Sequence, residues 1–340
     1  MDFDLSLWPT SSDEEFWRQW AIHSVGELSL LAHWRDDHET WRQRLFETLA
    51  GLLDFREPCE PVEEQLLGRR DMTTFSIQKI AFPGAGGVTV TAYVCVPHDN
   101  EEPLPAVVCY PPQGQSKEKV VGLLDIHNPE TAFGAHLAAD GYVVMCIDRR
   151  GEGERIQPDY GPQLGDWAGT PTVGRDATDL AIARQILQNR PDVIDERIGV
   201  IGFDRTGAAA LCAAALDAGF YATALCGCIA RCRSLPLAGD EQSRQALSYL
   251  YRDTVPPGLL KYADFEDVAC LLAPRVLCLY QAGGDIPVEV AEDAAGRVRQ
   301  GYNLMGEKIK LEMTITPEPD TYPGEPVLQF LEDWLKLPVA

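Results

Sequence analysis

The chain has 340 residues, 45% hydrophobic and 24% charged, with a formal charge of −23 from 52 acidic and 29 basic side chains. This composition suits a globular chain with a sizeable core, and no apolar run approaches the roughly 20 residues that span a bilayer. The negative field repels phosphate backbones and anionic lipid, so the expected partner is a small-molecule ligand or substrate, neutral or cationic, and neither nucleic acid nor membrane. No cofactor is expected, and assembly into a homo-oligomer stays open.

The start, Met1-Asp2-Phe3-Asp4-Leu5-Ser6-Leu7-Trp8, lacks the basic and apolar stretches of a secretory signal, which predicts a cytoplasmic location. Residues 1–72 are expected to form a helical N-terminal extension packed on a core that spans 73–340. The spacings of Trp17, Trp20 and Ile22, and of Leu45, Leu49 and Leu52, suit amphipathic helices, with Ser12 placed to cap the first. Thr74–Ala81 and Val88–Val96 flank Pro83-Gly84-Ala85-Gly86-Gly87 and predict a hairpin. Strands are then expected at 104–110, 142–147, 197–203, 222–230, 276–280 and 309–315. Helices are expected at 131–139, 175–189, 206–217 and 325–336, and a lid-like insertion at 233–262. Strands alternating with helices give an α/β fold, a mostly parallel central sheet flanked by helices.

Ten cysteines lie largely in apolar segments and are expected to be buried free thiols. A strand would bring Cys226, Cys228 and Cys232 to one face, but no Cys-x-x-Cys pair or nearby histidine accompanies them, so no metal site is expected.

The segment Gly202-Phe203-Asp204-Arg205-Thr206-Gly207 joins an apolar strand to an alanine-rich helix. In a nucleophile elbow such a turn lifts one side chain out of the sheet at strained backbone angles, normally in the pattern Gly-x-Ser-x-Gly. Here Asp204 takes the serine's place. A plainer reading is that Asp204 caps the helix starting at Thr206.

Asp148-Arg149-Arg150-Gly151-Glu152-Gly153-Glu154-Arg155, Trp167–Arg175, Val255–Asp264, Leu272-Ala273-Pro274-Arg275 and Gly324-Glu325 occur in an order that resembles the acetyl-xylan-esterase-like and dienelactone-hydrolase-like α/β-hydrolases, from about residue 15 to 337. The resemblance implies the α/β-hydrolase fold and a Ser-His-Asp triad, from which the chain departs. Asp204 stands at the serine, Asp285 keeps the acid position, and Asp320 falls where the histidine belongs. The six histidines are 23, 33, 38, 98, 127 and 136, so none comes from the C-terminal segment that supplies the base. The oxyanion loop reads Tyr110-Pro111-Pro112-Gln113-Gly114, in which Gln113 and the Gly114 N–H could line a polar pocket.

Three carboxylates meeting at one point would repel, with a shared proton, hydrogen bonds or Arg205 compensating ahead of a hard cation such as Ca²⁺ or Mg²⁺ between them. The expected function is a non-classical or catalytically inactive hydrolase homologue that binds a small molecule. An enzyme using Asp204, Asp285 and Asp320 for proton transfer or covalent catalysis is the alternative. An ordinary esterase would need another nucleophile, from Ser116, Ser234, Ser243 or Ser248. Asp148-Arg149-Arg150 is expected to be a salt-bridged loop under the site rim, His127 a surface residue, and Trp167 core or lid packing.

Overall fold

The computed structural model describes residues 13–33, 37–58, 60–98, 100–237, 239–241, 244–245, 248, 254–282, 286–317 and 323–336. Nine strands form one sheet in the order β1-β2-β3-β5-β4-β6-β7-β8-β9. They are β1 Gln65–Asp71, β2 Phe75–Pro83, β3 Thr89–Pro97, β4 Leu104–Cys109, β5 Val143–Ile147, β6 Val193–Phe203, β7 Ala222–Cys226, β8 Val276–Ala282 and β9 Leu311–Thr316. β1 to β3 run antiparallel, β3 meets β5 antiparallel, and β5, β4, β6, β7, β8 and β9 are parallel.

The central strands read as near-continuous apolar runs because both faces are covered. On one face helices Thr172–Gln188, Gly207–Leu216 and Val288–Leu304 pack with the N-terminal helix His38–Leu53; on the other lie Phe133–Ala139 and Glu325–Leu331. The mostly parallel α/β sheet expected from the alternation is the one observed.

The sheet begins earlier than expected. β1 lies inside the predicted extension 1–72, and every one of its residues is exposed. An edge strand with Arg69, Arg70 and Asp71 carries no alternating apolar signal, and its charges discourage edge-to-edge pairing. Helix Val288–Leu304 is also absent from the expected elements, since four of its six buried positions are Ala291, Ala294, Ala295 and Gly301, too small to draw a clear apolar stripe. β7 ends at Cys226 rather than 230 because Gly227 turns at φ 67°. Cys226, Cys228 and Cys232 therefore do not share a strand face. The nine described cysteines form no disulfide and are buried; Cys59 lies outside the described residues.

The extension docks through buried polar groups as well as leucines. Trp41 Nε1 donates to Leu28 O at 2.8 Å, the Leu28 N–H donates to Tyr262 O, and the Leu30 N–H donates to Asp267 Oδ1 at 2.9 Å. Asp267 sits with Asp264 and Glu266, all buried. Burial raises the Asp267 carboxyl to about 6 from the ordinary 3.8, against the pull of two backbone N–H groups. Because the folded value lies above the unfolded one, this group favours the fold fully below about pH 4. That contribution is lost as pH rises through about 6. The gap between wild-type and Asp267→Asn melting temperatures is expected to shift against the wild type from pH 4 to 7. A pH-independent gap in thermal melts would refute the assignment.

Candidate functional site

β6 carries the site. Phe203 is extended (φ −128°, ψ 145°), and Asp204 flips to φ 42° before helix Gly207–Leu216 begins. Among the described residues only Asp54 and Asp204 hold positive φ without being glycine. Asp54 ends a helix, where such a conformation is ordinary. At Asp204 the cost is of the order of 1 kcal/mol, and it lifts a half-buried carboxylate above the sheet.

Sequence makes the turn possible through two glycines. A Cβ on Gly202 would sit 2.6 Å from Ala210 Cβ, and one on Gly207 would sit 2.4 Å from Cys228 Sγ, so strand, helix and the loop after β7 cross in contact. The Thr206 hydroxyl ties the bend, donating to Phe203 O at 2.6 Å and accepting from Phe203 N at 3.1 Å. Thr206 therefore closes the bend beside Asp204. Beneath, the Phe133 and Phe203 rings pack 4.9 Å apart.

Of the expected partners, Arg205 is buried directly after Asp204. Gln113 and Gly114 follow β4, whose end lies beside β6, with Cys109 opposite Ile201. The Gly114 N–H is not open to a ligand, however. It donates to Glu152 Oε2 at 3.1 Å. Burial raises the Glu152 pKa, opposed by that hydrogen bond and by the charges of Arg149 and Arg205. Sequence reasoning missed Glu152, although it lies inside the Asp148–Arg155 stretch; the signal was an acidic residue between two glycines in a tight loop. Cys228, whose thiol pKa burial and then the Asp204 charge push up, was missed as a neighbour of the elbow. Asp285 and Asp320 lie outside the described residues.

The rim is salt-bridged, as the sequence led one to expect. Lys117, wholly buried, is paired with Asp148 and lies 2.9 Å from Glu154 Oε2. Arg150 and Arg155 both reach Asp179. Trp167 differs from expectation: it is 77% exposed. Helix Gly161–Trp167 turns Gly165 inward, where a Cβ would meet Thr170 O at 2.8 Å, and Trp167, two residues on, faces away. His127 is exposed, His136 is exposed on the helix leading into β5, and His98 bonds Met72 O at the end of the strands away from the elbow. Ser116 precedes the short helix Lys117–Val120, Ser234 lies in a 3-10 turn and Ser248 is exposed, none at a strand-to-helix apex. Ser243 lies outside the described residues.

The architecture and the strained apex are those of the α/β-hydrolase fold, and comparisons with known proteins agree on that fold. An Abhydrolase family model matches residues 30–165. YtaP of Bacillus subtilis (strain 168), which carries a provisional hydrolase name, is 26% identical over 245 residues, covering 69% of this chain and 77% of that protein. A Bacteroides fragilis NCTC 9343 structure, provisionally named an acetyl xylan esterase, superposes with a TM-score of 0.77 at 16% identity, over 96% of both chains. The glucuronoyl esterase from Solibacter usitatus does so at 0.66 and 15%, over 90% of this chain and 96% of that one. These likenesses agree with the architecture in giving the chain the α/β-hydrolase fold. No helix among the described residues is long and apolar enough to cross a membrane.

Proposed function

We propose that this chain is a non-hydrolytic homologue of the esterases that share its fold, binding a neutral or cationic small molecule at the elbow. The observation that carries the reading is the carboxylate of Asp204 at the strained apex. A serine there needs an imidazole to take its proton, and the sequence has no histidine after 136. A carboxylate that adds to an ester carbonyl is a better leaving group than the alkoxide it must expel, so the adduct collapses back. The developing oxyanion would also face Asp204 and, at the Gly114 N–H, Glu152. The same groups suit a ligand that donates hydrogen bonds: Asp204 accepts them, Gln113 follows the neighbouring strand β4, and Arg205 balances the carboxylates. Asp285 and Asp320 would add acceptors if they converge there.

Hydrolysis of p-nitrophenyl acetate tests this. The wild type, Asp204→Asn and Asp204→Ser are all expected at the buffer rate, the last because a hydroxyl without a base gains little. Turnover by the wild type that disappears in Asp204→Asn would instead establish an enzyme of altered mechanism.

A further inference from the structure

We infer that the cavity between helix Asp13–His23, the 3-10 turn Cys232–Leu237 and Leu260 is a binding site for an uncharged, apolar ring-containing molecule. It is separate from the elbow: its described walls include neither Asp204 nor Gln113. Its volume is about 740 Å³, within the roughly 300–1,000 Å³ of pockets that hold drug-sized ligands. Trp17, Trp20, Cys232, Leu235, Pro236 and Leu260 supply the walls.

These walls are held in place. The Trp17 and Trp20 rings meet edge to face, 5.7 Å apart. The Arg233 guanidinium lies 5.0 Å from the Trp20 ring centroid and donates to Ser24 Oγ at 2.8 Å. The Cys232 and Arg233 N–H groups both donate to the buried Asp264 carboxylate, at 3.0 and 2.9 Å. A rigid aromatic wall loses little freedom on binding, so its apolar area converts to affinity.

Charge selects the ligand. At the rim Arg244 and Glu241 pair at 3.0 Å, and Gln245 donates to Glu241. That cation is engaged by its own neighbour. Glu14 adds a second carboxylate to the lining, and the whole chain carries −23. An anion is therefore disfavoured, whereas a neutral bicyclic molecule, with at most one donor turned to Glu14, fits.

Titration of N-phenyl-1-naphthylamine into the full chain, followed by probe fluorescence, tests the site. A saturable one-site rise is expected, with the anionic 8-anilinonaphthalene-1-sulfonate binding at least roughly tenfold more weakly. Trp17→Ala, at a half-exposed position, should weaken the neutral probe roughly tenfold. Leu235→Glu should weaken it further, and Asp204→Asn should leave it unchanged, whatever the esterase assay returns. Non-saturable binding, tighter binding of the anion, loss on Asp204→Asn, or affinity unaltered in both folded cavity variants would overturn the inference.

Discussion

Replacing Lys117 with methionine is expected to cost the fold about 3–5 kcal/mol, because it strands a buried carboxylate. Lys117 and Asp148 are both fully inaccessible, and they touch twice: the Lys117 N–H donates to Asp148 Oδ1 at 2.8 Å and its ammonium pairs with Oδ2. Burial alone would lower the lysine pKa; the hydrogen bonds it donates to Asp148 and Glu154 outweigh that and keep the group charged. Asp148 also accepts from the Glu154 N–H at 3.0 Å, and Gly153 at φ 54° leaves room for its carboxylate, 2.3 Å from where a Cβ would stand. The pair thus clamps the loop carrying Glu152 onto the loop carrying Gly114. Urea unfolding of Lys117→Met, Asp148→Asn and the double variant should give a double that loses far less than the sum of the singles. Additive losses below about 1 kcal/mol each would show that the clamp does not hold the loops.

Much of this fold was legible because its signals are local. The central strands are unbroken apolar runs, and Pro83–Gly87 is a turn in any context. The elbow was also readable, since Gly202 and Gly207 leave room for a close crossing around one polar residue. Its chemistry was harder to read. That Glu152 lies on the Gly114 N–H depends on Lys117 meeting Asp148 across 31 residues, which no periodicity encodes. The Trp17–Trp20 pair registered only as helix spacing, because the wall it forms needs Leu235 and Leu260, distant in the chain. Trp167 ran against its composition signal: a lone tryptophan suggests burial, but the inward face of its short helix belongs to Gly165.

Gly174→Ala is expected to destabilise the protein by about 2–3 kcal/mol, although alanine within a helix normally gains up to about 1 kcal/mol over glycine. The sign reverses because a Cβ there would lie 1.9 Å from Leu53 O and 2.7 Å from Leu53 C, backbone atoms that no rotamer change can move. Leu53 is the fully buried last residue of helix His38–Leu53. The chain after it stays on helix Thr172–Gln188: the Arg56 N–H donates to Thr178 Oγ1, the Val62 N–H to Gln185 Oε1 at 3.2 Å, and Gln185 Nε2 to Pro58 O at 3.2 Å. Separating the helices therefore strains a seam of hydrogen bonds as well as a contact. Gly51→Ala is the matched control. It lies in the same extension helix, exposed, with nothing within 4 Å of where its methyl group would stand, and should be neutral or stabilising. Thermal melts should move in opposite directions for the two variants, with segment 53–62 opening to protease only in Gly174→Ala. Melting temperatures that rise together would mean the extension is not wedged on the core at this glycine.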